Sequence, residues 1–305
     1  MLFGAHVSSA GGISNAIDHI EEIGGNAVQV FTQSPRMWKP TRHSDEEVER
    51  FRARRQEAKV GAVLCHALYL VNLASRDREI RKKSRVALRA TMETARAIDA
   101  DAVVFHVGSH LGYGFRDALR AVRPALAALL ELTTDRLWLC MENTAGAGGT
   151  IGRDVAELAA ICDALDGHRR LGVCIDSCHW WASGIDVTDR DALDGALREV
   201  DERLGLERLR CLHVNDAAVA LGANRDRHEV VAEGVIGNGL ATFLGHPAFR
   251  DLPAVLETSP KGGLTTNDVD ELRRLHRLGE RRWRATSQSA TRAKMRKPAR
   301  SRGSS

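Results

Sequence analysis

The sequence predicts a single (β/α)8 barrel, and three observations carry that prediction. Short apolar runs alternate with amphipathic stretches of helical period along the 305 residues. Six of those runs end in a metal-ligating side chain: His66, His106, Glu142, Asp176, His213 and Glu257. The intervals between these ends are 40, 36, 34, 37 and 44 residues, each the length of one strand, loop, helix and loop. That spacing fits parallel strands whose C-terminal ends lie on one side. Eight such units close into a barrel whose strand ends meet at one mouth, where barrels of this kind place their active sites.

Taken in order, Leu2 to Ser8 reads as a first strand and Ser14 to Ile23 as its helix, with Ile13, Ile17 and Ile20 on one face. Ala27 to Phe31 is the second strand. The loop from Thr32 to His43 carries Arg36, Met37, Trp38 and Lys39, a mix suited to binding and equally to a surface turn. Ser44 and Glu47 make a capping box for a helix whose Val48 and Phe51 face inward. Ala62 to Cys65 leads into His66, a helix covers Asp77 to Ala97, and Ala102 to Phe105 leads into His106. A further helix precedes Leu137 to Met141, which ends at Glu142, and a helix from near Arg153 leads to the run Leu171 to Ile175 before Asp176. Cys211 and Leu212 precede His213, and Pro253 to Leu256 precede Glu257. A closing helix spans Thr265 to Leu278, with Val269, Leu272 and Leu275 inward.

With 43% apolar residues the chain can bury a substantial core. It has neither a membrane-spanning run nor a signal-peptide pattern at Met1 to Gly4, so a cytoplasmic protein is expected. Cys65, Cys140, Cys174, Cys178 and Cys211 lie in or beside apolar runs without the paired spacing of a structural zinc site, and read as buried reduced thiols. The net charge of +4 is uneven, because Glu280 to Ser305 hold nine Lys or Arg against one acidic residue. Residues 1–279 therefore form a mildly acidic barrel domain, and residues 280–305 read as a basic disordered tail, either an electrostatic tether for nucleic acid or a solubilising extension.

Three imidazoles and three carboxylates around one opening call for neutralising charge, and divalent metal ions supply it. The ligand mix favours zinc or manganese over magnesium or calcium. Six ligands exceed the needs of one tetrahedral ion, so a second ion sharing a carboxylate is the natural arrangement, one suited to phosphoester hydrolysis. Any one of these residues reads equally well as a satisfied polar group at the core rim, and Asp176 alone as a helix N-cap. All six together do not. Downstream, Asp226 and His228 stand two residues apart, so an extended segment points both the same way, and with His179 they complete a third set. An isolated Asp-x-His is ordinarily a hydrogen-bonded turn. Cys174 and Cys178 are assigned to packing, because soft thiolates do not suit a phosphate site. His6 and His110 stay open between structural roles and orienting a ligand or phosphate.

The motifs Gly4-Ala5-His6-Val7-Ser8, Phe105-His106-Val107-Gly108-Ser109-His110, Glu142-Asn143-Thr144-Ala145-Gly146, Cys174-Ile175-Asp176-Ser177-Cys178-His179, His213-Val214-Asn215-Asp216, Asp226-Arg227-His228 and Leu256-Glu257-Thr258 occur in this order. Together they resemble the endonuclease IV family of apurinic/apyrimidinic endonucleases, over residues 2 to about 279. The resemblance implies a three-zinc barrel, with manganese a candidate in one site, that cleaves damaged duplex DNA on the 5′ side of an abasic site. The products would be a 3′-hydroxyl and a 5′-deoxyribose phosphate. It assigns His66, His106 and Glu142 to one zinc, Glu142, Asp176, His213 and Glu257 to a second, and His179, Asp226 and His228 to the third. Glu142 and Glu257 are the carboxylates expected to be catalytic, and a hydroxide held between the first two ions is the expected nucleophile. Arg36, Tyr69 and Leu70 fall where the family places residues that wedge into the DNA; Tyr69 to Val71 also read as packing at a helix start. A monomer without membrane association is expected. Two departures stand out: Val107 where the family often has Pro, and Ala232 where it usually has Gly, which bears on the loop near the third zinc.

Two other readings remain at this stage. Related barrels place His, Asp and Glu at the same mouth in metal-dependent sugar isomerases and epimerases, although the set His179, Asp226 and His228 exceeds what such an enzyme needs. A non-catalytic DNA-binding relative is the other, against which the intact ligand set argues.

Overall fold

A computed structural model of the protein describes residues 1–295, with side chains through Ala285. Among the described residues there are ten strands: β1 (Leu2–His6), β2 (Ala27–Phe31), β3 (Ala62–His66), β4 (Ala102–Phe105), β5 (Trp138–Glu142), β6 (Leu171–Asp176), β7 (Leu209–His213), β8 (Asp216–Ala217), β9 (His228–Glu229) and β10 (Pro253–Leu256). Eight form the expected closed parallel barrel, each paired with the next barrel strand in the chain, and β1 pairs with β10 from Leu2↔Pro253 to Ala5↔Leu256 to seal it. β8 and β9 make a separate antiparallel ribbon, which the sequence reading does not anticipate.

Period-two alternation sorts every strand. Outward residues such as Val28, Val30, Val63, Val103, Leu139, Val173 and Leu212 pack under the helices. Inward residues Ala27, Leu64, Val104, Cys140, Cys174, Cys211 and Val255 form a second, interior cluster. Two positions beyond most of these, one layer nearer the mouth, come the titratable strand ends.

The helices are α1 (Asn15–Glu22), α2 (Asp45–Glu57), α3 (Arg78–Ala97), α4 (Phe115–Leu130), α5 (Val155–Ala164), α6 (Ser177–Ser183), α7 (Arg190–Arg203), α8 (Leu240–Leu244) and α9 (Thr266–Met295). Asp77, Asp154 and Asp189 cap α3, α5 and α7 by accepting first-turn amides, which satisfies otherwise orphaned donors. Ser44 caps α2 as expected, but the reciprocal half of the box is not made. Glu47 Oε1 instead accepts from the amide and hydroxyl of Ser14, at 2.9 and 2.8 Å, because buried Ser14 offers two donors where the start of α1 meets α2. All six cysteines are buried free thiols. Among the described residues no helix is long and apolar enough to cross a membrane.

The closing helix is longer than expected. α9 does not stop near Leu278 but continues to Met295. Two residues pack this stretch of the helix against the body. Gly279 lets α9 cross α8 at backbone contact: a Cβ there would lie 1.8 Å from the carbonyl oxygen of Ala241. One turn on, Trp283 is buried, donates to the Thr242 carbonyl at 2.9 Å, and lies under the guanidinium of Arg190 at 3.8 Å. The first turn of the expected tail thus packs through Trp283, while residues 296–305 of that tail lie outside the described residues.

Candidate metal centre

All nine residues expected as ligands come together at the barrel mouth. Glu142 is at the centre, 0% exposed. Its Oε2 lies 3.2 Å from His66 Nε2 and 3.4 Å from His106 Nε2, and its Oε1 lies 3.0 Å from His213 Nδ1 and 3.3 Å from His179 Nδ1. His213 Nδ1 also faces Glu257 Oε2 at 3.3 Å.

Asp176 caps a helix with one oxygen and faces the cluster with the other. Its Oδ1 caps α6 by accepting from the His179 amide at 2.7 Å, while Oδ2 accepts from Asn215 Nδ2 at 2.6 Å and lies 3.7 Å from His228 Nε2. Its backbone is bracketed by the Asn143 carboxamide, which accepts from Asp176 N at 2.6 Å and donates to Asp176 O at 3.2 Å. Cap and strand end together fix His179, which points one turn into α6 toward Glu142.

The ribbon delivers the remaining pair. β9 contributes His228, and Asp226 precedes it on the incoming loop. Buried Asp216 ties that loop down by accepting from the amides of Ala217, Ile236 and Gly237 at 2.8, 2.9 and 2.9 Å. The resulting contacts are nearly equal: His179 Nε2 to His228 Nε2 is 3.3 Å, His179 Nε2 to Asp226 Oδ2 is 3.3 Å, and His228 Nε2 to Asp226 Oδ1 is 3.3 Å.

These spacings test whether zinc fits. A tetrahedral ion with bonds of about 2.0–2.1 Å holds its ligand atoms about 3.3 Å apart. Contacts of 3.2 and 3.4 Å around Glu142 Oε2 and of 3.3 Å in the His179, Asp226 and His228 triangle match that figure. Two imidazole nitrogens facing each other at 3.3 Å make at best one hydrogen bond, yet both face the same carboxylate. His106 Nδ1 and His179 Nδ1 are buried without a hydrogen-bond partner among the described residues, the latter although Glu142 is within reach. The sets His66, Glu142, His213; Glu142, Asp176, His213, Glu257; and His179, Asp226, His228 each keep one donor atom per residue within 4.8 Å of the others, so each could hold an ion. Cys178 comes equally near Asp176 and His228, but burial and then the Asp176 charge push its thiol up, and its Sγ faces the Arg227 carbonyl at 3.6 Å. It stays a packing thiol.

Electrostatics show how tightly the groups are coupled. Burial opposes ionisation of Glu142, but His106 and His213 outweigh it and hold the carboxyl well below the usual range. Burial disfavours the charged form of His213 and of His179 as well; Glu257 and Glu142 raise the first well above its ordinary value, and Asp176 with Asp226 raise the second. His106 is lowered, with burial dominant. Asp226, half exposed but partly desolvated, is drawn down to about 2 by His179 and then His228. An array of this kind favours a bound cation in place of protons.

Of the expected wedge residues, Tyr69 and Leu70 are 64% and 37% exposed, whereas Val71 is in the core. α3 begins only at Arg78, so these residues do not start a helix. Tyr69 stands between two cavities, one of about 530 Å³ lined by His6, Ser8, Gln33 and Glu257, the other of about 480 Å³ lined by Leu70, Leu111, His106, His179 and Asp226. Arg36 is exposed on the loop that contributes Gln33 to Pro35 to the first cavity. His6 lies inside the site, 3.9 Å from Glu257 Oε1. His110 is structural in its contacts: its Nδ1 accepts from the amides of Gly112 and Gly114 at 3.1 and 3.4 Å. Ala232 has φ +69°, the left-handed conformation for which a glycine is better suited. Sequence reasoning missed Gln29 and the anchoring by Asp216. A lone Gln in the run Ala-Val-Gln-Val-Phe, at a position whose neighbours two apart face the barrel interior, was the available signal for the first.

Comparison with known proteins agrees with this geometry. The family of xylose isomerase-like TIM barrels matches residues 17–276. A probable endonuclease 4 of Nitratidesulfovibrio vulgaris is 39% identical over 280 residues, 90% of this chain and 99% of that protein. Its counterpart in Halothermothrix orenii is 35% identical over 278 residues, 91% and 100% of the two chains. The crystal structure of endonuclease IV from Thermus thermophilus superposes with a TM-score of 0.79 at 33% identity, covering 92% of this chain and 100% of that one. A D-tagatose 3-epimerase-like protein shares the fold at 17% identity and a TM-score of 0.68. With sequence, barrel and strand-end residues in agreement over nine-tenths of its length, the chain belongs to the endonuclease IV family.

Proposed function

We propose that this protein is a zinc-dependent endonuclease of DNA repair that acts as a monomer on abasic sites in duplex DNA. It hydrolyses the phosphodiester on the 5′ side and leaves a 3′-hydroxyl and a 5′-deoxyribose phosphate. The observation that carries this reading is the set of nine converging side chains with donor spacings near 3.3 Å. His66, His106 and Glu142 would hold one zinc, Glu142, Asp176, His213 and Glu257 a second, and His179, Asp226 and His228 a third. When bound, zinc supplies Lewis acidity toward the phosphate and makes water a stronger acid near neutral pH.

The chain's own residues do the rest. Glu142, through two oxygens, fixes the spacing between the first two donor sets. Asn215 orients two carboxylates at once, donating to Asp176 Oδ2 and, at 3.2 Å, to Glu257 Oε2. Exposed Tyr69 and Leu70, with Arg36, would fill the gap an extruded abasic nucleotide leaves in the base stack. The cavities on either side of Tyr69 are where the displaced sugar and its flanking phosphates would lie.

The test is metal analysis of the purified protein together with cleavage of a duplex carrying one abasic site. About three zinc per chain are expected, with a single nick 5′ to the lesion, intact duplex left whole, and loss of nicking on chelation. Equal cutting of intact duplex, or turnover of a free sugar without nicking, overturns the reading.

A further inference from the structure

Gln29 is a fully buried carboxamide on β2, aimed into the barrel among the candidate ligands, and none of the nine metal-ligand positions includes it. Its Nε2 donates to Glu257 Oε1 at 2.8 Å and approaches His6 Nδ1 at 3.1 Å; its Oε1 accepts from His213 Nε2 at 2.8 Å. The orientation of the amide is not arbitrary. Turned over, its oxygen would face a carboxylate oxygen, and two acceptors cannot share a hydrogen bond.

In the neutral imidazole, the form that ligates a metal, the Gln29 oxygen toward His213 places the proton on Nε2. The lone pair is then left on Nδ1, the atom that faces Glu142 Oε1 at 3.0 Å and Glu257 Oε2 at 3.3 Å. The same carboxamide pins one oxygen of Glu257, while Asn215 holds the other. One side chain thus sets the tautomer of an imidazole and the rotation of a carboxylate belonging to the same donor set. We infer that Gln29 is a positioning residue for the second metal, organising His213 and Glu257 as its ligands. The inference rests on the zinc reading above. It concerns a single set, since among the described residues no hydrogen bond of Gln29 reaches His66, His106, His179, Asp226 or His228.

Partners of ligating groups of this kind are worth about 10- to 100-fold in metal affinity. The experiment measures zinc retention by the purified holoenzyme during chelator titration, for the wild type, Gln29→Met and Gln29→Glu. Gln29→Met keeps the volume and removes the hydrogen bonds to Glu257, His213 and His6. Gln29→Glu keeps an acceptor for His213 and removes the donor to Glu257. Both variants should lose one zinc about 10- to 100-fold more readily than the wild type, retain the other two unchanged, and keep the same far-ultraviolet circular dichroism. Gln29→Met should show a matching fall in abasic-site nicking that excess zinc restores. Retention equal to wild type in both variants overturns the inference, as does parallel loss of all three ions, which would mark a general packing role. A wild type that binds no zinc sinks the functional reading itself and is told apart in the same titration.

Discussion

Two layers of the same barrel, one side-chain repeat apart, have opposite characters. In the deeper layer Leu64, Val104, Cys140, Cys174, Cys211 and Val255 form an apolar, thiol-rich plug. Two residues further along the same strands come His66, His106, Glu142, Asp176, His213 and Glu257. The separation is about 6.5–7 Å along a strand, yet one layer holds the fold and the other concentrates buried charge. The deep layer supplies the hydrophobic stabilisation that closes the barrel, which frees the upper one to carry groups that would be destabilising anywhere else.

The largest expected effect breaks the upper layer alone. Glu142→Gln should lower kcat/KM for abasic duplex by about 10³-fold or more, a loss of roughly 4 kcal/mol of transition-state stabilisation, with zinc content reduced. Robust nicking by this variant would remove the distinction between layers. Outside the barrel, Gly279→Ala should cost about 1–3 kcal/mol of stability by overpacking against α8, read as a lower midpoint of thermal unfolding with zinc stoichiometry intact. In the deep layer, Cys140→Ala, two residues below Glu142, should cost about 1 kcal/mol of stability and leave kcat/KM near wild type; a large catalytic loss would show that the layers are not separable. The smallest effect tests the loop that carries the third donor set. Ala232→Gly should raise stability by up to about 1 kcal/mol, because it relieves a left-handed alanine; a lower unfolding midpoint would show that the methyl group is packed rather than strained.

The upper layer was legible in the sequence because period two and parallel order do the work: a strand-end His or Asp after an apolar run has one place to go. Register in the barrel then brings Asp176 opposite His213 without any local signal being needed. The helix caps at Asp77 and Asp154 were near the expected starts for the same reason, that an orphaned amide calls for a nearby acceptor. What stayed hidden depends on contacts remote in the chain. Glu47 leaves its own helix end for Ser14, 33 residues away. Gln29 reads as an isolated polar residue until Glu257, 228 positions later, lies beside it. Trp283 sits in a run of arginines whose mutual repulsion argues for solvent, and Arg190, Thr242 and His246, all distant in sequence, show what it covers.

Asp176 uses one oxygen to start α6 and turns the other toward the ligands, so the barrel wall and the helix that carries His179 share a single hinge-free joint. Each residue of an α-helix rotates the next side chain by about 100°. Inserting or deleting a single residue between positions 176 and 179 would therefore swing the imidazole out of the cavity while leaving every strand in place. Length variation in this family's loops should stop short of that three-residue interval, and a naturally occurring change in it would mark a descendant that has given up the donor set of His179, Asp226 and His228.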